Sequence, residues 1–152
     1  MSQRLTQKLA DLKAQGRAGF VPFIMAGDPS TKHTAEILKS LPSHCADIIE
    51  LGMPFSYPMS DGPTIQAAAI RALNAKTRLN DVLELVREFR KQDDTTPVVL
   101  MGYYNPIFYH GVDRFMLQAS LSGVDALIIV DLPIEEVDEA RIHATANQID
   151  II

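Results

Sequence analysis

Apolar positions along this chain follow two alternating rhythms. The runs "GFVPFIMAG" (19–27), "ADIIELG" (46–52), "PVVLMG" (97–102), "VDALIIV" (124–130) and "IDII" (149–152) are short, Val- and Ile-rich, and bounded by Gly, Pro or Asp. Apolar residues at successive positions over so short a span predict strands buried on both faces, as in a parallel sheet. Between these runs the spacing changes to three or four residues. In "LNDVLELVREFRK", Leu79, Val82, Leu83, Val86 and Phe89 form one helical stripe. "STKHTAEILKSL" predicts a helix capped by Ser30, with Ala35, Ile37, Leu38 and Leu41 facing inward. "PIEEVDEARIHATANQ" predicts another, starting near Pro133, with acids in the first turn where the helix dipole favours them.

Strand followed by helix, repeated, implies right-handed βαβ units around a parallel sheet. Strand starts are evenly spaced except for one interval about twice as long, which holds "SYPMSDGP" and two helical patterns. No "GxGxxG" follows the first strand and no "GxxxxGK[ST]" occurs, so the dinucleotide-binding and P-loop readings lose their main support. A doubly wound sheet and a (β/α)8 barrel remain. Barrel chemistry sits at the carboxyl ends of the strands. The unusual segments "AGDP", "ELGMPFSYPMSDGP", "MGYYNP" and "VDLP" all follow strands.

Composition narrows the class further. The 152 residues predict a single domain, with 47% hydrophobic and 22% charged residues, which is ordinary for a globular protein. A net charge of -5 and the lack of a Lys/Arg cluster argue against nucleic acid as a partner. No apolar run reaches the roughly 18 residues of a membrane span. The polar start "MSQRLTQKLADLKAQG" has no signal-peptide core, and the lone Cys45 cannot form an internal disulfide. Both features point to the cytoplasm. His33, His44, His110 and His143 lack metal-ligand spacing, so no metal site is expected.

Two carboxylates stand out. Glu50 follows Ile48 and Ile49 at the end of an oily run. Walled by apolar groups, such a carboxyl has its pKa raised and can work as acid or base near neutrality; pattern alone allows an ordinary solvent-facing glutamate equally. Asp61 precedes Gly62-Pro63 and an Ala-rich helix, and by pattern alone it reads as a helix cap or, second to that, a turn-forming residue. Asp28 reads as a turn or cap residue and Asp131 as a helix-start or loop acid. Phe23, Met101, Tyr103 and Val130 gather near strand ends, a placement that suits either core packing or the wall of an aromatic-sized pocket.

Taken together, "FVPFIMAGDPS", "ADIIELGMPFSYPMSDGPTIQAAAIRAL", "MGYYNPIFYHGVDRF" and "GVDALIIVDLPIEE" resemble the tryptophan synthase alpha subunit, in order and with spacing intact. The resemblance implies an α/β fold of the (β/α)8 TIM-barrel family, with residues 1–152 as a single domain and an N-terminal partial barrel of about four to five βα units. It implies retro-aldol cleavage of indole-3-glycerol phosphate to indole and glyceraldehyde 3-phosphate, a step in tryptophan biosynthesis that uses no cofactor on this chain. Glu50 matches the family's catalytic glutamate, a proton shuttle, and Asp61 the aspartate that holds the indole N–H. Phe23, Met101, Tyr103 and Val130 fall on positions lining the indole pocket.

The loop Pro54, Phe55, Ser56, Tyr57 and Pro58 matches the segment facing the beta subunit of an alpha2beta2 complex, where pyridoxal phosphate is expected. Tyr57 stands where the family usually has an aspartate, which bears on coupling to that partner. The family's phosphate-binding loops would follow the last residue of this chain. The resemblance therefore implies impaired activity for a chain truncated near the fifth strand, and self-association through open barrel edges. A catalytically inactive half-barrel, serving assembly or beta-subunit binding, is the alternative.

Overall fold

In a computed structural model that describes residues 2–152, the five Val- and Ile-rich runs become five parallel strands. They are β1 (Phe23–Met25), β2 (Ile49–Gly52), β3 (Val98–Gly102), β4 (Ala126–Ile129) and β5 (Asp150–Ile151). The strands lie side by side in chain order, which is the order around a (β/α)8 barrel rather than that of a doubly wound sheet. The fold is α/β, with five consecutive strands of the barrel arrangement present.

Register defines two faces. Phe23 pairs with Glu50, Glu50 with Val99, Val99 with Ala126 and Ala126 with Asp150, so these five share one side of the pleat. Ile49, Leu51, Val98, Leu100, Leu127 and Ile129 point to the other side and are buried against the helices. There α2 (Thr31–Ser40), α4 (Leu79–Arg90), α6 (Val112–Ser122) and α7 (Asp138–Ala146) form the outer layer. Val82, Val86 and Phe89 of α4 and Phe115, Met116 and Ala119 of α6 are fully or almost fully buried there. Truncating Phe115 to Ala would cost about 3–5 kcal/mol, the usual cost of an emptied aromatic site.

The inner face is closed differently at its two ends. Leu5 of α1 (Gln3–Ala14) packs on Ile48, Val99 and Ala126 at the amino ends of the strands. Near the carboxyl end of β1, Ala68, Ala69 and Ala72 of α3 (Pro63–Asn74) cover Met25 and touch Phe23. Small alanines let the α3 backbone approach closely. The short α5 (Tyr104–His110) follows β3 directly.

Helix predictions hold with local differences. Ser30 caps α2 by accepting from the His33 N–H, as expected. Ile37, however, is exposed, and Thr34 is buried in its place. Thr34 is drawn inward because its hydroxyl accepts from the Gly27 N–H and donates to the Ser30 carbonyl. The segment after Pro133 begins as a 3-10 turn (Ile134–Glu136), and α7 starts only at Asp138. Among the described residues no helix is long and apolar enough to cross a membrane.

Candidate active site

Glu50 lies on the inner face of β2, between Phe23 on β1 and Val99 on β3. Two residues on, Gly52 faces the same side. A Cβ there would stand 2.6 Å from Phe23 Cζ, so the missing side chain is what admits the Phe23 ring beside Glu50. Met101 aligns with Gly52, and Val130 continues the inner row of β4, its N–H donating to the Gly102 carbonyl. Phe23, Met101 and Val130 are all half-buried at this rim. They make an apolar surround for a carboxyl, and burial raises the Glu50 pKa above its ordinary 4.5. Among the described residues no hydrogen bond or ion pair meets this carboxyl.

Asp61 is reached through the loop that leaves β2. The cap expected from its position is not made: Gly62 occupies the cap position of α3, with Pro63 at the first helical position and no side-chain bond. Asp61 contributes backbone groups only, its N–H to the Pro58 carbonyl and its carbonyl to Gln66 Nε2. Its half-buried carboxylate makes no hydrogen bond among the described residues. With a helix amino end close behind it, a carboxylate gains from the dipole without being consumed as a cap.

The remaining candidates have partners. Tyr103 is 2% exposed, its ring 5.3 Å from that of Phe55 and its hydroxyl 3.0 Å from the Ser60 amide, from which it accepts. Phe55 in turn meets Tyr57 edge-on at 6.1 Å. Tyr57 and Met59 are 75% and 76% exposed, so the loop offers apolar groups to solvent. Pro54 and Pro58 are half-buried and Ser56 is exposed. Asp28 lies in a turn, its N–H donating to the Met25 carbonyl, and is not a cap: both its oxygens accept from Arg71 at 2.7 Å, tying the loop after β1 to α3. Asp131 serves a helix start, but of another unit. Its Oδ1 accepts the Tyr104 N–H at 2.7 Å, at the first turn of α5.

Sequence reasoning singled out neither the Ser60 amide nor the link between Asp131 and α5. Both are contacts across long sequence separations, and the only available signal was that these residues follow strands.

The chemistry available is that of two carboxyls at the carboxyl ends of the strands, one in an apolar surround and one beside a helix start. No group of acid, His and Cys side chains among the described residues has the arrangement of a metal site.

Known proteins share this layout. The sequence profile of the family described as "Tryptophan synthase alpha chain" matches residues 9–152. The tryptophan synthase alpha subunit of Legionella pneumophila strain Paris superposes with a TM-score of 0.96 at 44% identity, over 99% of this chain and 57% of that one. The subunit in the Pyrococcus furiosus tryptophan synthase α2β2 complex superposes with a TM-score of 0.83 at 41% identity, over 88% of this chain and 54% of its own. The chain thus spans somewhat more than half the length of these relatives. With the family profile matched over residues 9–152, the chain belongs to the tryptophan synthase alpha chain family.

Proposed function

We propose that this chain carries the carboxylate pair of a carbon–carbon lyase that splits indole-3-glycerol phosphate into indole and glyceraldehyde 3-phosphate. The observation that carries the reading is Glu50: an inward-facing, half-buried carboxyl beside Phe23, raised in pKa by burial and free of partners among the described residues. A raised pKa makes this carboxyl hold a proton more readily than an ordinary glutamate does.

The reaction needs that. Indole C3 takes up a proton while positive charge develops at the ring nitrogen. The hydroxyl on the adjacent glycerol carbon then loses its proton and becomes an aldehyde. The C3–carbon bond breaks, and its electron pair returns to the ring as aromatic indole. One proton is gained and one lost, so a single carboxyl that gives the first and takes the second ends in its starting state. Glu50 fills that role. Asp61, ionised, balances the charge at the ring nitrogen by accepting the N–H. Phe23, Met101 and Val130 supply the flat apolar wall an indole requires, with Tyr103 behind them. The ring is its own electron sink, so the chemistry on this chain calls for no cofactor.

The loop of Pro54, Phe55, Ser56, Tyr57 and Pro58 is read as the face toward a beta subunit, on the strength of its exposed Tyr57 and the neighbouring Met59. The similarity to an alpha chain known within an α2β2 complex supports this. A partner carrying pyridoxal phosphate would take up the indole. The relatives are tryptophan synthase alpha chains, which favours the lyase over an inactive assembly module.

The test is indole release from indole-3-glycerol phosphate. Turnover by the chain that falls about 10²–10⁴-fold in Glu50→Gln, the usual range for a lost acid–base group, is the expected result. Equal turnover in the variant would remove Glu50 from the chemistry.

A further inference from the structure

The loop from Pro54 to Gly62 carries Asp61, yet it is poorly tied down. Its backbone bonds are local: Met59 N–H to the Tyr57 carbonyl, Asp61 N–H to the Pro58 carbonyl, and Gln66 reaching back from α3. Among the described residues one hydrogen bond joins this loop to another strand end, and it runs from the Ser60 N–H to the Tyr103 hydroxyl at 3.0 Å. Ser60 is the residue next to Asp61. Tyr103 is buried, and its ring packs against that of Phe55 of the same loop at a tilt of 33°, which restrains it.

Tyr103 itself has to be held. It ends the turn from β3 into α5, and no side chain of its own turn caps that helix. Asp131, arriving from the end of β4, supplies the missing acceptor for the Tyr104 N–H at 2.7 Å. The Val130 N–H, one residue earlier, donates to the Gly102 carbonyl at 3.0 Å. A continuous path therefore runs Asp131, Tyr104 backbone, Tyr103 side chain, Ser60 backbone, Asp61. It crosses the ends of β4, β3 and β2.

We propose that Tyr103 and Asp131 are positioning residues that set where Asp61 stands relative to Glu50. This rests on the lyase reading for its kinetic consequence, though not for its geometry. Neither residue exchanges a proton with substrate in this role. Each acts through the next, and a shift of about 1 Å in a charged group facing the reacting ring is enough to cost on the order of 10²-fold in rate.

The test uses three variants of the full chain. Tyr103→Phe keeps the ring against Phe55 and removes only the acceptor for the Ser60 amide. Asp131→Ala removes the acceptor for Tyr104, whereas Asp131→Asn keeps a side-chain carbonyl there. Hydrogen exchange at the Ser60 amide, followed by NMR, is the direct readout.

Faster exchange in Tyr103→Phe and in Asp131→Ala, with Asp131→Asn close to the parent, is the expected pattern. Asp131 does not touch Ser60, so a merely local role would leave that amide unmoved in Asp131→Ala. Such an outcome would overturn the path. In the indole assay kcat should fall about 10–100-fold in the first two variants with KM little changed, and Asp131→Asn should recover most of it. An unchanged kcat in Tyr103→Phe despite a freed Ser60 amide would overturn the positioning role. A parent chain that releases no indole would count against the lyase reading alone, and the exchange pattern would still decide whether the loop is held this way.

Discussion

The two ends of the same sheet differ in one respect: among the described residues, buried or half-buried acids without partners lie only at the carboxyl ends, where Asp28 and Asp131 are nonetheless paired. At the amino ends of the strands every buried acid is saturated. Asp125, 1% exposed, accepts from Arg90, from the Val98 N–H, from the Ser2 hydroxyl and from Arg4. Asp47 takes both arms of Arg17 and the Phe20 N–H. Glu50, on the inner face, and Asp61, in the loop after β2, have their carboxyl oxygens unclaimed among the described residues. A carboxylate with its acceptor sites filled contributes to holding the fold; one left open inside an apolar surround lowers stability and is available for chemistry. In barrels of this type the first arrangement belongs to the stability face and the second to the reactive face.

The sharpest way to break the contrast is to remove the acid at the saturated end. Asp125→Ala strands Arg90, 9% exposed, beside a vacated site. Burial already lowers the Arg90 pKa, and the Asp125 charge opposes that effect. Losing one member of a buried pair costs about 3–5 kcal/mol, a large part of a domain's stability. Chemical denaturation should show a midpoint shifted far down. A variant as stable as the parent would mean that the network is not structural.

At the open end the same type of change should do the reverse. Asp61→Asn keeps the shape of the side chain and removes its charge. Indole formation should drop by about 10²-fold or more, the scale of a lost electrostatic contact in a transition state. The unfolding free energy should stay within about 0.5 kcal/mol of the parent, as for a change with no broken partner. A variant that instead unfolds early would show Asp61 to be a structural residue.

How much of this contrast could be read from the chain alone differs by level. The strands and helices were legible, because continuous apolar runs and three-to-four spacing follow directly from which faces are buried. Which side of β2 Glu50 faces was not. Ile49 and Leu51 are as apolar as Ile48, so a strand buried on both faces gives no alternation to read. Asp61 looked like a cap because Asp-Gly-Pro before a helix is cap-like locally. Gly62 takes that position instead, leaving the acid free. The expected inward face of α2 included Ile37, whereas the Thr34 hydroxyl found two backbone partners and went inside. The hydrogen-bond partners of Asp125 and Tyr103 were beyond reach for one reason. They are distant in sequence, 35 residues away for Arg90 and 43 for Ser60, and no local pattern encodes such pairs.

Acid sharpens the comparison at the saturated end. Hydrogen bonds from Arg17 and from the Phe20 N–H hold the Asp47 carboxyl at about 2, below its usual 3.8. A lowered folded-state pKa means stability that is complete above the unfolded value and is lost as pH falls through the folded one. The parent should therefore lose stability between about pH 4 and pH 2, with a contribution from this pair. In Arg17→Met that part of the slope should vanish, leaving a variant less stable than the parent at pH 6 and closer to it at pH 2. Parallel pH curves for the two would exclude the pair as the source.

The smallest effect concerns Glu50, and its sign is opposite. Burial raises this pKa above 4.5 in the folded chain, with no partner to bring it down. Between the unfolded and folded values the native state holds a proton that the unfolded chain has released, so stability declines as pH rises through that window. Above it the folded chain bears the cost of a half-buried charge in full. Glu50→Gln has no charge to desolvate and should escape that decline. Stability of the variant and the parent should converge in acid well below the ordinary carboxyl value of 4.5, where the glutamate too is neutral, and the variant should be the more stable by pH 8, although its turnover should fall. Under the lyase reading, such a loss of stability is the ordinary cost of an active carboxyl. If Glu50→Gln tracks the parent at every pH, burial is not what perturbs this group. The asymmetry between the two ends would then rest on hydrogen bonding alone.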